Sequence, residues 1–276
     1  MLPLVSGWRS QGFTDTSVPV AYDRYVRRQL FDPWARDLIV RAELKPAMSV
    51  LDVACGPGTV AHQAASAVGA TGRVVAADVS AAMLEVAAAA EGDGAGARVE
   101  YLQCPADALA VGDGTFDRVL CQQGLQFFPD RIGALREMHR VLAPGGAALL
   151  GVWAAERPLG LFGPIAESVA ETSAREPYPH AFAPDSYTIG AGSLRELLAA
   201  AEFDEVSVEL VELECSWGSA EEILATVLAT PFGPLVSALD APAQERIREG
   251  LGERLGLVHD ARPTVTTVAN VARAAK

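Results

Sequence analysis

The sequence predicts an α/β fold in which the strands of a mostly parallel sheet alternate with helices that cover both of its faces. Two observations support this prediction. Between residues 49 and 155, short apolar runs alternate with longer amphipathic or alanine-rich segments. A glycine turn also separates the first apolar run from the first helix. The predicted strands are residues 49–54, 73–78, 99–103, 117–122 and 147–153, and the predicted helices are residues 59–68, 80–91 and 131–142.

The alternation lapses after residue 155 and then resumes. A helix is predicted at residues 193–201 and a strand at residues 205–213, because the hydrophobic period changes between them. Residues 218–260 show the pattern of two helices, and residues 264–272 that of a last strand. The second half of the chain therefore adds strands to the sheet and helices beside it.

The composition indicates a globular protein with a large core and a small-molecule partner. The chain has 276 residues, half of them hydrophobic, and a formal net charge of −13. Because phosphate backbones and anionic surfaces are bound mainly by lysine and arginine, we expect neither nucleic acid nor a membrane as partner. The N-terminal residues lack the basic start and apolar run of a signal peptide, and no window is apolar enough to span a bilayer. We therefore expect a cytoplasmic protein.

The cysteines give no sign of a metal site. Cys55, Cys104, Cys121 and Cys215 lie far apart and form no Cys-x-x-Cys pair. Neither metal binding nor a disulfide framework is expected from this spacing. Buried free thiols in a reducing compartment are the better interpretation.

The segment 50–61 carries the first sign of a ligand. A short buried strand is broken by Gly56 and Gly58, and Thr59 then opens an alanine-rich helix. A strand, a glycine turn and a helix N-terminus bring bare backbone N–H groups up to a ligand, and a Cβ at either glycine would hold that ligand away. The spacing from Gly56 to Ala61 also satisfies the dinucleotide fingerprint, so the loop alone is not specific.

Two acids narrow the choice of ligand. Asp78 ends the second predicted strand, where an acid can accept hydrogen bonds from ribose hydroxyls. Asp52 lies inside the first strand, beside the glycine turn. A carboxylate there would repel a pyrophosphate but attract a sulfonium or an ammonium group. S-adenosylmethionine carries both cations and has no phosphate.

Three further segments follow the glycine loop in order. They are residues 77–84 (ADVSAAML), 115–130 (TFDRVLCQQGLQFFPD) and 140–146 (RVLAPGG). Together the four motifs resemble those of class I S-adenosylmethionine-dependent methyltransferases, and four in order are specific where one glycine loop is not. The chain is most similar to the small-molecule branch of these enzymes, which includes quinone-biosynthesis and bacterial natural-product methyltransferases.

The resemblance implies a Rossmann-like, seven-stranded, mostly parallel sheet with helices on both faces, an antiparallel last strand and a helical cap. It also implies a division of the chain into core and cap. The divisions are 1–34 for N-terminal cap helices, 35–155 for the cofactor-binding core, 156–188 for a cap segment, 189–217 for the core continuation, 218–260 for a helical cap insertion and 261–276 for the final core strand.

The cofactor implied by the resemblance is S-adenosyl-L-methionine, with its methionine end and ribose on the first two strands. Main-chain groups of Ala54 and Gly56 would hold the methionine end, with Gly58 in the same loop and Asp52 nearby. Asp78 would accept the ribose hydroxyls.

The adenine would lie between the second and third strands. Val79 and Met83 would pack on it, although Met83 fits the helix core equally well. Many relatives carry an acid after the third strand that binds the adenine amine, and Pro105 stands at that position here. Either Asp107 takes over this role or the backbone of Ala106 does, and we favour the backbone.

The end of the fourth strand is expected to face the methyl group. Cys121 and Gln122 lie at the carboxyl edge, where ligands bind in such sheets. Residues 122–128 (QQGLQFF) replace a histidine-bearing loop that many relatives carry. Its three amides could orient a polar substrate or satisfy buried backbone groups, and both interpretations stay open. Gln126 and Trp153 are assigned to the substrate pocket.

The catalytic base and the remaining pocket residues are sought outside the core. Residues 20–44 show an irregular amphipathic helical pattern with a new helix start at Pro33. Tyr22 and Tyr25 in this pattern could reach over the cofactor or simply cover the sheet edge. His180, in the proline-rich cap segment, is the best candidate among the four histidines for a general base.

The predicted function is methyl transfer to an oxygen, nitrogen or carbon nucleophile of a small molecule, in secondary metabolism or quinone-like biosynthesis. Acceptor choice is expected to reside in the cap, whose aromatic residues could line a cavity or form a small core of their own: Tyr22, Tyr25, Phe162, Tyr178, Phe182 and Phe232. Two alternatives are an NAD-linked oxidoreductase of Rossmann fold and a non-catalytic S-adenosylmethionine-binding protein. A homodimer is left open.

Overall fold

The computed structural model describes residues 23–91, 96–157, 160–172, 187–229, 236–256 and 263–276. Its centre is one seven-stranded sheet. The strands are β1 (Ser49–Val53), β2 (Arg73–Asp78), β3 (Val99–Gln103), β4 (Phe116–Gln122), β5 (Leu142–Trp153), β6 (Asp204–Ser216) and β7 (Thr264–Ala275).

The strand order across the sheet is β3-β2-β1-β4-β5-β7-β6. Strands β1 to β5 pair in parallel, whereas β7 pairs antiparallel with β5 on one side and with β6 on the other. Since β7 is reversed against both neighbours, β6 runs in the same direction as β5. The predicted mostly parallel sheet with an antiparallel last strand is confirmed, and the order reverses at β1, where ligands bind in such sheets.

The helices are an N-terminal π-helix (Asp23–Phe31), α1 (Asp32–Ala42), α2 (Thr59–Val68), α3 (Ala81–Ala90), α4 (Arg131–Val141), α5 (Phe162–Thr172), α6 (Ala191–Ala200), α7 (Ala220–Leu228) and α8 (Ala241–Arg254). Three of them begin at a residue whose side chain caps the helix. Ser80 accepts a hydrogen bond from the Met83 N–H at the start of α3, and Asp130 and Asp240 do the same at α4 and α8.

Two elements differ from the sequence prediction. Strand β5 begins at Leu142 rather than 147, because α4 runs directly into it and the backbone of Gly145 and Gly146 pairs with Lys276. Helix α5 was not predicted, since the proline content of its segment pointed to irregular structure. Its Pro164 lies in the first helical turn, where the missing N–H has no intrahelical partner to lose.

The core consists of two apolar clusters, one on each face of the sheet. One cluster contains the buried side chains of α2 and α1 together with residues of the three later helices, including Ile165 of α5, Ile223 of α7 and Ile247 of α8. These helices therefore bury their apolar sides in the same core as one sheet face. In the described residues, no helix combines the length and apolarity that a bilayer crossing requires.

Trp34 of α1 ties the N-terminal region to the last strand. Its indole N–H donates to the hydroxyl of Thr267 on β7 at 2.9 Å, and its ring meets Trp153 edge-on with the centroids 5.8 Å apart. The Phe31 ring also packs against Trp153, with the two ring centroids 6.2 Å apart. A buried hydrogen bond and a packed aromatic group thus join residues that lie far apart in the chain.

Replacing Trp34 by Phe should destabilise the fold by about 2–4 kcal/mol, because it removes a buried hydrogen bond and leaves a space beside Trp153. Urea unfolding at constant m-value measures the loss. Val40→Ala on the same helix is the control, since Val40 is 76% exposed and should change the stability by less than about 0.5 kcal/mol. Equal losses in the two variants would contradict the role given to Trp34.

Candidate functional site

The site is built where β1, β2 and β4 end. The loop after β1 contains three residues with left-handed backbone angles: Ala54 (φ 58°), Gly56 (φ 52°) and Gly58 (φ 82°). Glycine adopts such angles freely, but Ala54 does so at a cost of about 1–2 kcal/mol. The loop is therefore a tight turn that aims the N-terminus of α2, which begins after Gly58, toward the carboxyl edge of the sheet.

The two glycines of the loop serve different purposes. A Cβ at Gly56 would meet nothing within 4 Å, so the main chain there faces open space. A Cβ at Gly58 would lie 2.7 Å from the ring of His62. Glycine at this position thus suits both the left-handed backbone and the nearby His62 ring, and its contact with the cofactor remains a prediction. His62 is held by Tyr101, whose hydroxyl lies 2.9 Å from the His62 Nε2, so we assign His62 a structural role.

Asp78 connects the end of β2 to the glycine loop. Its Oδ2 accepts a hydrogen bond from the Gly56 N–H at 2.9 Å, and its Oδ1 accepts one from the Ser80 N–H at 2.8 Å. Burial raises the pKa of Asp78, and these bonds partly offset that effect. The Gly56 N–H, expected at the methionine end of the cofactor, is therefore already engaged. Each carboxylate oxygen retains a second lone pair for a ribose hydroxyl.

Asp52 is a buried carboxyl group that lacks a full set of partners. It is 1% exposed, and its Oδ2 has no hydrogen-bond partner. Burial raises the pKa of Asp52 well above its usual value; the Ala61 N–H opposes this, and the negative charge of Asp78 adds to it. A buried carboxylate with a free oxygen is stabilised by a cation. The residues at this edge therefore fit a cationic ligand such as S-adenosylmethionine.

The adenine side of the site offers an exposed apolar side chain. Val79 directly follows Asp78 and is 59% exposed. Met83 is buried in α3, so the structure favours the helix-core interpretation over contact with adenine. After β3, Asp107 is exposed and Ala106 half-buried. Sequence reasoning missed Gln103, whose side-chain amide donates to the Val79 carbonyl at 3.2 Å and helps hold Val79 in place.

The end of β4 approaches the glycine loop. Cys121 is fully buried, and burial raises the pKa of its thiol to about 12. The side chain thus faces the core, and the predicted cofactor contact of Cys121 would have to use its main chain. The Gln122 amide donates to the Phe31 carbonyl at 3.1 Å. A Cβ at Gly124 would lie 2.8 Å from the Ala54 Cβ, so the two loops touch.

Two buried glutamines follow β4. Gln123 has a left-handed backbone (φ 55°), and its side-chain carbonyl accepts a hydrogen bond from the Gln126 amide at 3.3 Å. Gln123 is 6% exposed and Gln126 fully buried. Unpartnered atoms remain on Gln122 (Oε1), Gln123 (Nε2) and Gln126 (Oε1). Trp153, the predicted pocket wall, is buried between Phe31 and Trp34.

Several predicted site residues lie outside the part of the chain that the structure describes. They are Tyr22, Tyr178, His180, Phe182 and Phe232, together with the side chains of Tyr25 and Phe162. Their roles remain predictions. Among the described residues, no group of three or more His, Cys, Asp or Glu side chains is arranged to hold a metal ion.

Asp52→Asn should stabilise the ligand-free protein at pH 8. The pKa of Asp52 is higher in the folded state than in the unfolded chain. As the pH rises above about 4, the unfolded chain therefore loses this proton first, and the free energy of unfolding falls. The substitution removes that loss, and we expect a gain of roughly 1–3 kcal/mol at pH 8 that shrinks toward pH 4. Urea unfolding at both pH values measures it. A variant less stable than wild type at pH 8 would show that the carboxylate itself supports the fold.

Comparison with known proteins agrees with this geometry. Residues 19–154 match the family model of the ubiE/COQ5 methyltransferase family. The Ubiquinone/menaquinone biosynthesis C-methyltransferase UbiE of Xylella fastidiosa is 43% identical over 116 residues, which are 42% of this chain and 46% of that protein. The chain thus spans about half the length of the curated relatives it matches.

Solved structures extend the similarity beyond the matched segment. The alignment with the phosphoethanolamine N-methyltransferase 2 of Haemonchus contortus covers 98% of this chain and 59% of that protein, with a TM-score of 0.62 and 19% identity. The alignment with a SAM-dependent methyltransferase from Aquifex aeolicus covers 72% of this chain and 93% of that protein, with a TM-score of 0.54 and 22% identity. At such identities the likeness shows the fold alone. The resemblance predicted from the four motifs is confirmed: the chain has the class I S-adenosylmethionine-dependent methyltransferase fold, and residues 19–154 carry the sequence pattern of the ubiE/COQ5 methyltransferase family.

Proposed function

We propose that the chain transfers the methyl group of S-adenosylmethionine to a nucleophilic oxygen, nitrogen or carbon of a small molecule. The observation that carries this proposal is the unpartnered Oδ2 of Asp52, buried beside a glycine loop whose face at Gly56 is open. A cationic nucleoside without phosphate satisfies that carboxylate, whereas the pyrophosphate of NAD would be repelled by it. The oxidoreductase alternative therefore has no support at this site.

The protein's part in the reaction is to bind, align and exclude water. When bound, S-adenosylmethionine would supply an electrophilic methyl group, its sulfur would keep the electrons of the C–S bond, and the acceptor would give up a proton. Asp78 orients the ribose, and Asp52 supplies negative charge near the methionine end. Val79 gives the adenine an apolar surface, with the Ala106 backbone or Asp107 at its amine. Alignment of this kind accounts for much of the rate in such reactions.

The acceptor is proposed to be a small molecule of the quinone-precursor type or a related natural product. Curated relatives that match this chain are named for ubiquinone and menaquinone biosynthesis. The family match covers residues 19–154 and ends before helices α5, α7 and α8. Tyr22, Tyr25, Gln126 and Trp153 lie within the matched residues and would line the acceptor half of the site, and His180 would accept the acceptor's proton.

The surroundings of the enzyme are proposed from its charge. A net charge of −13 supports an enzyme that binds neither nucleic acid nor an anionic membrane surface, and the cytoplasm is proposed as its compartment. A homodimer is compatible with these features. A non-catalytic S-adenosylmethionine-binding protein would share the cofactor site, and transfer of a labelled methyl group to an acceptor separates the two.

Asp78→Ala should weaken S-adenosylhomocysteine binding by about 2–4 kcal/mol, because hydrogen bonds to a carboxylate are strong. Calorimetry measures the affinity. Asp107→Ala is the matched control and should cost less than about 1 kcal/mol, since Asp107 is exposed and the Ala106 backbone is favoured at the adenine.

Asp78→Asn should fall between wild type and Asp78→Ala, because Asn retains one oxygen for the Gly56 N–H. An unchanged affinity in Asp78→Ala would remove the ribose assignment. A wild-type protein that binds NAD more tightly than S-adenosylhomocysteine would overturn the proposed function itself.

A further inference from the structure

The paired side chains of Gln123 and Gln126 are the least satisfied polar group near the candidate site. One hydrogen bond of 3.3 Å joins them, from the Gln126 Nε2 to the Gln123 Oε1. The Gln123 Nε2 and the Gln126 Oε1 have no partner, although both atoms are buried. Buried amides without partners are costly, so a native protein usually satisfies them with protein, water or ligand.

This deficit does not depend on which way the two amides are turned. If both amide groups are flipped, the Gln123 nitrogen donates to the Gln126 oxygen, and the pair still makes one hydrogen bond. One amide N–H₂ group and one carbonyl oxygen then remain unpartnered, as before. The pair therefore always presents one donor group and one acceptor to whatever lies beside it.

The pair lies next to the cofactor loop. The main-chain N–H of Gln123 donates to the carbonyl of Gly151 on β5 at 2.8 Å, and a Cβ added at Gly151 would stand 3.8 Å from the Gln123 Nε2. The neighbouring Gly124 lies against Ala54 of the glycine loop. The amides thus lie where β4 approaches the loop that is proposed to hold the methionine end of the cofactor.

We propose that Gln123 and Gln126 form a subsite that binds a hydroxyl group of the methyl acceptor. A hydroxyl group donates one hydrogen bond to the free amide carbonyl and accepts one from the free amide N–H₂, and so satisfies both glutamines at once. The proposal rests on the proposed function, and it narrows the acceptor to hydroxylated molecules such as phenols, quinols or enols.

The charges around the pair disfavour an anionic acceptor group. The Asp52 carboxyl lies close enough to raise the pKa of Cys121, which is two residues before Gln123. The nearby cation is already used, since the Arg131 guanidinium donates to the main-chain carbonyl of Gln126 at 2.7 Å. A carboxylate also has no proton to donate to the amide carbonyl. An ether lacks that proton too, so both should bind less well than a hydroxyl group.

The alternatives are that the glutamine pair holds a trapped water molecule or that it has a purely structural role. A water molecule could bridge the same two atoms and would be retained whatever acceptor is present. A structural network would instead support the fold, so its removal would cost stability. Two measurements separate these alternatives from a hydroxyl subsite. One is the effect of a small phenol on the signals of the two side-chain amides, and the other is the stability of the protein when both amides are replaced.

The first experiment uses the full chain saturated with S-adenosylhomocysteine and labelled with ¹⁵N-glutamine. The chain has eight glutamines, and the side-chain signals of Gln123 and Gln126 are assigned by their loss in Gln123→Met and Gln126→Met. Millimolar phenol should shift both signals, whereas equal concentrations of anisole or benzoate should leave them in place. Unmoved signals with phenol, or equal shifts with all three compounds, would overturn the proposal.

The second experiment compares stability in the double variant Gln123→Met/Gln126→Met. Since both partners are replaced by apolar groups of similar length, a binding subsite predicts an unchanged or raised Tm, within about 2 °C or above that of wild type. Gln244→Met is the control for a partnered glutamine, since the Gln244 side-chain amide on α8 donates to the carbonyl of Leu239, which precedes that helix. A clear fall in the Tm of the double variant would assign the pair to the fold.

Calorimetry separates this proposal from the one on which it rests. The double variant should bind S-adenosylhomocysteine as wild type does, since neither Gln123 nor Gln126 is among the proposed cofactor contacts. If wild type itself fails to bind S-adenosylhomocysteine, the proposed function is wrong. If it binds but phenol leaves the two amides unmoved, the hydroxyl subsite alone is wrong.

Discussion

The carboxylate of Asp78 is the interaction on which the site depends. By accepting from the N–H groups of Gly56 and Ser80, it joins the end of one strand to the loop that follows its neighbour. The loop needs this support because three of its residues hold left-handed backbone angles, and one of them, Ala54, is not a glycine. A single side chain thus holds the turn, fixes the main chain of Ser80, whose side chain caps the next helix, and leaves lone pairs for a ligand.

Much of this arrangement could be predicted from the sequence, because local patterns determine it. Hydrophobic runs of strand length placed strands β1 to β4 to within a few residues. The resemblance carried by the four motifs implied a seven-stranded, mostly parallel sheet with an antiparallel last strand, as observed. The spacing of Asp52 and Asp78 around the glycine turn predicted that both carboxyls would meet at one edge of the sheet.

The remaining features depend on contacts between distant residues, which a pattern does not carry. Periodicity placed Cys121 at the ligand edge but could not show that its thiol turns toward the core. Gly58 matched a ligand-binding fingerprint, but the pattern could not show that the His62 ring lies against it. The three amides after β4 allowed two interpretations, and only the geometry showed that the bond between Gln123 and Gln126 leaves both partly unsatisfied.

The position of β7 between β5 and β6 has a consequence for how the chain assembles. Strand β6 is thirteen residues long and joins the sheet through β7, which comes about fifty residues later in the chain. During synthesis, the main-chain N–H and C=O groups of β6 therefore stay unpaired until β7 has been made. Its exposed glutamates, at positions 209, 212 and 214, place negative charge along this strand. Like charges make it a poor partner for the same strand of another nascent chain, so the acidic edge protects the protein before the sheet is complete.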